Sequence, residues 1–428
     1  MNRLVLTVII FIFSGIAQAK YLVLGGGPAG LYMAYSLLLN DVDAEVELYE
    51  GRDFIRPQVI RVPFKFTERL SAEMIKDLWP DEGTRHRIFK PGKISDANFW
   101  PKPDYSYWPF NNVGDFQNIM LNTLKKNKNF KHIASHMSVD ELVLLAKDID
   151  TNIQGIFIAT GPGQFTTDLR HELLMAEGKK REHKGHGIYL IYRNQSLESY
   201  EQLKSSELGA DGLTYAASNN RQKDVQIYTY PAAQGPLKEV YDELKGDVAR
   251  EFMGRAGFKQ YLSNPLSLDD EFLGLEQSEG SLWFKKFKDA VVELSQKHKV
   301  PLPENLADVK VIYAERSEYH WQKVSMRFNN KVPLYFVGDA SGGTDYKLGL
   351  SLGRGLLAVD ELTSLMKKNP KDSVDTFQHY WDKVISSEFG KGPDLSGECF
   401  IKFKYLIQGR KIGGLKFFPW LVYRPLGG

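Results

Sequence analysis

The sequence predicts an α/β protein organised around a dinucleotide-binding half, and three observations carry that prediction. Apolar strand-like runs alternate with amphipathic stretches, as they do when helices cover a parallel sheet. The stretch "YLVLGGGPAGLYMAYSLL", residues 21 to 38, sets a Gly-x-Gly-x-x-Gly turn between an apolar strand and an apolar helix. More than 300 residues later, "YFVGDASGG", residues 335 to 343, ends a second apolar strand in Gly-Asp.

Each element follows in order. A short strand, Tyr21 to Leu24, leads into Gly25, which permits a tight turn. Gly27 lets a pyrophosphate approach the backbone, and Gly30 lets helix and strand lie close together. Pro28 and Ala29 open the helix, whose unpaired N–H groups face the phosphates. "LYMAYSLLL" has the continuous apolar face of a buried helix, and "AEVELYE" reads as a second parallel strand. Glu50 ends that strand 20 residues beyond Gly30, placed to accept a hydrogen bond from a ribose hydroxyl. The proline- and tryptophan-rich stretch Phe99 to Phe110 looks like an excursion from the sheet, and "FQNIMLNTLKKN" returns to helix. "GIFIATGPGQ" is a buried strand ending in glycines, with Thr160 and Gly161 at its turn. "GIYLIYR" and "VQIYTYP" alternate as half-exposed antiparallel strands. "LWFKKFKDAVVELSQKHK" is an amphipathic helix, "VPLYFVGDASGG" the last buried strand, and "LGRGLLAVDELTSLMKK" the helix behind it. Asp339 could hold a ribityl or ribose hydroxyl. Two such contacts so far apart suit a long dinucleotide, FAD rather than NAD.

Composition excludes other classes. The 55 basic and 53 acidic residues nearly balance, so no concentrated positive surface suits a nucleic acid. One cysteine, Cys399, permits neither an intrachain disulfide nor a cysteine-based metal site. The pairs His183/His186 and His132/His136 are spaced for a metal but lack an evident third ligand; a solvated face accounts for them. His320, in "SEYHWQ" shortly before the Gly-Asp strand, is a candidate proton carrier or a packed interior histidine. No G-x-S-x-G elbow is present.

Both ends raise the question of location. Arg3, the apolar run Leu4 to Phe13 and the small residues Ala17 to Ala19 have the three parts of an export signal. The rival is an uncleaved membrane anchor, although the run is short of the roughly 20 residues that span a bilayer. At the other end, Phe400 to Gly428 carries six lysines and arginines, no acid, and interleaved aromatics including Phe417 and Trp420. That pattern suits an anionic membrane surface or a cap on the substrate lobe.

The order GGGPAG, acidic strand end, "IATG" and "FVGDA" resembles the flavoprotein monooxygenases of the para-hydroxybenzoate hydroxylase type. "RDFIRPQVIRVPF", "FQNIMLNTL" and "GRGLLAVDEL" are similar to segments of the actin-oxidising MICAL monooxygenases. The matching motifs lie in residues 21–165 and 333–362, while 166–332 matches nothing. The resemblance implies Gly25, Gly27, Gly30 and Glu50 at the ADP half of FAD, with Arg52 alongside. It implies Arg56, Gln58 and Arg61 in a loop beside the flavin, with Arg61 also a catalytic candidate. Gln117 would face the cofactor, Gly338 and Asp339 the pyrophosphate and ribityl chain, and Gly349 and Leu350 the pyrimidine ring. The proline usual after Gly-Asp is missing from "ASGGTDYKLGLSLG".

The expected organisation is a signal peptide over 1–19 and a Rossmann-like FAD-binding domain of the GR2 type in two parts, 20–165 and 326–366. Between them lies an antiparallel-sheet substrate domain, 166–325, and after them a helical and basic-aromatic segment, 367–428. The expected activity is flavin-dependent hydroxylation of a small organic or lipid-borne substrate with oxygen and NAD(P)H. An exported protein would lack a pyridine-nucleotide supply, so the alternatives are an FAD-dependent oxidase or dehydrogenase using oxygen or quinone, and a flavin-bearing protein without catalysis.

Overall fold

A computed structural model describes residues 19–54, 59–60, 69–80, 111–147, 152–175, 179–192, 211–217, 225–232, 234–257, 263–270, 279–298, 300, 302–328, 331–343 and 351–384. The export segment up to residue 18, the stretch 99–110, Arg56, Gln58, Arg61, Gly349, Leu350, Cys399 and the tail 400–428 lie outside the described residues.

The chain opens with β1 (Lys20–Leu24), α1 (Pro28–Asn40) and β2 (Glu45–Tyr49), followed by the short β3 (Val59–Ile60), α2 (Ala72–Leu78) and β4 (Asn111–Asn112). It continues through α3 (Val113–Leu124), β5 (Phe130–Ile133), α4 (Val139–Lys147), β6 (Ile153–Ile158) and α5 (Gln164–Glu172). Next come β7 (Lys180–Tyr192), β8 (Leu213–Ala217) and β9 (Val225–Thr229), then α6 (Pro236–Glu243), α7 (Gly246–Ala256) and α8 (Glu279–Lys297). The last elements are β10 (Lys310–His320), β11 (Ser325–Phe328), β12 (Val332–Phe336), β13 (Gly342–Gly343), α9 (Ser351–Lys368) and α10 (Ser373–Val384).

Two sheets organise these elements. The larger has the order β11-β12-β6-β1-β2-β5, parallel throughout except at β11, which runs antiparallel to β12. Leu22, Val23, Ile156, Phe157 and Ile158 are fully buried, as expected of parallel strands covered on both faces. Parallel neighbours need crossovers, and α1 supplies the one from β1 to β2. The chain leaves this sheet after β6 and returns only at β11 and β12, so β12 lands beside β6 although its first residue, Val332, lies 174 positions after Ile158.

The second sheet, β13-β10-β7-β9-β8, is antiparallel in its pairings. One of its faces, with Ile188, Leu190, Ile227 and Val311, packs on Phe252 of α7 and on Trp283, Phe284 and Phe287 of α8. This is a separate core from that of the larger sheet. The alternation in "GIYLIYR" and "VQIYTYP" predicts one solvated face, and the structure corrects that expectation. The opposite face carries Ile191, Tyr228 and Tyr230, all buried as well. Tyrosine reads as a surface residue in a pattern, yet its ring is apolar and stacks readily: Tyr228 lies 4.9 Å from Tyr189 and 5.6 Å from Tyr230. Among the described residues no helix is long and apolar enough to cross a membrane.

Candidate functional site

Three turns meet at the carboxyl ends of adjacent strands. The pairing brings Leu24 of β1, Ile158 of β6 and Phe336 of β12 level with one another. Ala159 N–H donates to Leu24 O and Val337 N–H to Ile158 O, which carries the register into the turns themselves. In open α/β sheets this edge is where ligands bind.

The first turn is held by the space its glycines leave. Gly25 has φ of +102°, and a Cβ there would lie 2.6 Å from the Ala159 backbone. A Cβ on Gly30 would lie 2.0 Å from Gly25 O, so strand and helix can approach only with no side chain between them. Gly27 differs. Its φ of −61° suits any residue, it caps α1 without a side-chain hydrogen bond, and its Cβ position meets only Ala159 O at 3.7 Å. Open space beside Gly27 adjoins the N-terminus of α1, begun by Pro28, the kind of place where helix N–H groups can receive an anion.

Side chains clamp the residue between them. Gly26 N–H donates to Glu50 Oε2 at 2.9 Å, and Gly26 O accepts from Gln117 Nε2 at 2.6 Å. Glu50 and Gln117 are each only 2% exposed. Gln117 Oε1 has no hydrogen-bond partner and is buried beside this turn, an acceptor left open where a ligand hydroxyl could donate. Glu50 Oε1 accepts from the Arg52 main chain and Nε, both at 2.9 Å, while Arg52 Nη2 reaches Oε2 at 2.8 Å. Burial raises the Glu50 pKa, but the Arg52 guanidinium and the two main-chain N–H groups outweigh it and hold the carboxyl below its ordinary value. A ribose hydroxyl at Glu50 would compete with the Arg52 guanidinium, whose side chain is 43% exposed.

The second turn follows β6. Thr160 Oγ1 and Thr166 Oγ1 are 2.7 Å apart, Thr166 Oγ1 donates to Gly161 O, and a Cβ at Gly161 would meet nothing within 4 Å. The third turn follows β12. Gly338 has φ of +60°, and a Cβ there would lie 2.7 Å from the Ala29 Cβ; a Cβ at Gly355 of α9 would lie 3.1 Å from Gly338 Cα. The Gly-x-Gly-x-x-Gly turn and the Gly-Asp turn thus touch. Asp339 stands at that junction, with its main-chain carbonyl accepting from Tyr319 Oη at 2.7 Å.

His320 is 5% exposed on β10, where it pairs with Gly342 of β13 and so lies close to the Gly-Asp turn. His132 and His136 are drawn to the Glu50 region: His132 Nε2 is 3.2 Å from Glu50 O, and His136 lies against Gly51. Among the described residues no group of three His, Cys, Asp or Glu could hold a metal. Sequence reasoning missed Gly26, whose Cβ would overlap Phe54 and Glu50, and also Gly355 and Arg170. The third consecutive glycine in "GGGPAG" was the available signal for Gly26; Gly355 and Arg170 become visible only once α5, α9 and β12 are brought together.

No family model and no curated sequence matches this chain. Solved structures do. CtdE in complex with FAD and substrate 4 superposes with a TM-score of 0.51 at 11% identity, covering 90% of each chain. A single-site variant of 2-methyl-3-hydroxypyridine-5-carboxylic acid oxygenase gives 0.51 at 14% identity, covering 92% of this chain and 93% of that one. Over nearly its whole length, this chain shares the overall fold of these two solved structures.

Proposed function

We propose that this chain is an FAD-dependent oxidoreductase, a flavin monooxygenase that transfers one oxygen atom from O2 to an organic substrate with NAD(P)H as reductant. The observation that carries the reading is the contact between the two turns: an open anion cradle at Gly27 touches a Gly-Asp turn drawn from the far end of the sequence. The residues present fit FAD. Gly27 and the α1 N-terminus would receive the pyrophosphate, Glu50 a ribose hydroxyl, Gln117 Oε1 another hydroxyl, and Asp339 the ribityl chain. FAD is bound in CtdE, and the likeness in fold supports the same cofactor here. When bound, FAD supplies two-electron chemistry and reactivity toward oxygen. The protein holds the cofactor's polar chain, excludes water and orients the substrate. The five-stranded sheet, with its buried tyrosines, is the proposed substrate lobe. His320 is the candidate for moving a proton, and Arg61 is a further catalytic candidate. The absorption spectrum of the purified protein tests the cofactor, and anaerobic addition of NADPH tests the reductant. A colourless protein that takes up no FAD overturns the first, and flavin that stays oxidised overturns the second.

A second reading rests on residues 1–19, whose charged, apolar and small-residue parts suit export. An exported flavoprotein would oxidise its substrate and pass electrons to oxygen or a membrane quinone. The basic and aromatic residues of 400–428 would then dock on anionic lipid and bring a lipid-borne substrate to the lobe. N-terminal sequencing of native protein that begins at Lys20, with salt-sensitive co-sedimentation on anionic liposomes, favours this reading. Retention of Met1 and no liposome binding removes it.

A further inference from the structure

Arg170 stands out among the buried charges. It is 0% exposed, on α5. Its guanidinium lies between two rings, with its central carbon 3.6 Å from the Phe336 centroid and 4.4 Å from that of Trp321. Nη1 donates to Lys323 O at 2.6 Å and Nη2 to Ala340 O at 2.9 Å, while Nε has no hydrogen-bond partner. Among the described residues no carboxylate pairs with it. A buried cation without a counter-ion is costly, and this one is held by two carbonyls and two aromatic faces. Burial pushes its pKa down to about 9, and the nearby Tyr319 phenol opposes that shift.

What Arg170 holds explains why it is there. The carbonyls of all four residues in the turn Gly338–Ser341 accept hydrogen bonds from the protein. Gly338 O accepts from Ser341 Oγ and N–H, Asp339 O from Tyr319 Oη, Ala340 O from Arg170 Nη2, and Ser341 O from Trp321 N–H. All four carbonyls of the turn are thus committed within the protein, as are the N–H groups of Ala340 and Ser341, which donate to Val337 O and Gly338 O. Arg170 is the contact that arrives from α5, the helix that begins at the Thr160–Gly163 turn. It therefore joins the second turn to the third.

We propose that Arg170 is a positioning residue for the cofactor, fixing the Gly338–Ser341 turn against the turn after β6 so that both present one surface to FAD. This rests on the FAD reading above. Arg170→Met keeps much of the volume but removes the charge and both carbonyl contacts. Arg170→Lys keeps the charge and can reach one carbonyl, without the planar fork or the stack. Apoprotein is titrated with FAD for each variant, and the visible circular dichroism of the bound flavin is recorded. The expected result is FAD binding at least about tenfold weaker in Arg170→Met, with an altered dichroism and partial recovery of both in Arg170→Lys. A residue that serves only the core would lower the thermal midpoint of the apoprotein while leaving FAD affinity and dichroism as in the wild type, and that result overturns the proposal. If Arg170→Met fails to fold, Arg170→Lys decides alone, and wild-type affinity and dichroism there overturn it too. Wild-type protein that binds no FAD overturns the FAD reading and this inference with it, a failure recognisable because it precedes any variant.

Discussion

The glycine turn after β1 and the five-stranded sheet obey different rules. In the turn, side chains are excluded, and what matters is where a Cβ cannot go: 2.0 Å from Gly25 O at Gly30, 2.6 Å from Ala159 at Gly25. In the sheet, side chains fill the space. Trp283 lies 5.6 Å from Phe287 and 4.8 Å from Phe252, with its Nε1 donating to Val240 O at 2.7 Å. A turn that must meet a phosphate leaves its mark in residue identity. A face that must pack against helices leaves only its bulk and polarity, because many side-chain sets pack equally well.

The largest expected effect separates fold from ligand within the turn itself. Gly30→Val puts a branched side chain where even a Cβ overlaps backbone, and should cost more than the roughly 3 kcal/mol of an ordinary overpacked site. Little soluble protein is expected. Gly27→Val, three residues away, should fold with a near wild-type apoprotein melting temperature, because its Cβ meets only Ala159 O at 3.7 Å, yet purify colourless. Soluble Gly27→Val carrying full flavin would break the assignment of the cradle.

Trp283→Ala probes the other region. Loss of a buried indole and its hydrogen bond should cost about 3–5 kcal/mol, read from urea melts. Because the two cores are separate, the FAD affinity of the molecules that remain folded should change little. A comparable loss of affinity would mean that the sheet shapes the cofactor site directly.

Smaller effects come from the clamp on Gly26. Glu50→Ala should weaken FAD binding by about 1.5–3 kcal/mol, the contribution of a hydrogen bond to a charged acceptor. Arg52→Ala should do less, since main-chain N–H groups of Gly26 and Arg52 still hold the carboxylate and a ribose hydroxyl no longer has to displace a guanidinium. Equal losses in titrations of the two variants would place Arg52 in the bound state as well. The smallest effect is a pH dependence. The folded pKa of Glu50 is depressed below the ordinary 4.5, so its contribution to stability is present above that value and is lost as pH falls through the folded pKa. Apoprotein melts recorded below about pH 4.5 should fall less steeply for Glu50→Gln than for wild type.

The elements that position the site were legible because each carries a backbone constraint. Strand-glycine-helix, the acid after β2 and the Gly-Asp strand end all appear where the periodicity and turn residues put them. The five-stranded sheet was legible as antiparallel strands but not as a sheet buried on both faces. A strand's alternation reports which residues share a face, and not what lies against it. The buried tyrosines Tyr228 and Tyr230 satisfy either environment.

By itself, then, the sequence determined the local chemistry: a tight turn open at Gly27, an acid poised beside it, and a second turn with Gly338 in a conformation that favours glycine. Short-range sterics set these, and short-range sterics can be read along a chain. Only the tertiary structure decided that Ala29 meets Gly338, that Gln117 reaches Gly26 across 91 residues, and that Arg170 is buried with carbonyls and rings as its partners. The first and the last of these depend on β12 returning to the side of β6 after the long excursion through the second sheet. A pairing between distant strands is fixed by the burial of the whole sheet, and no local stretch of sequence contains it.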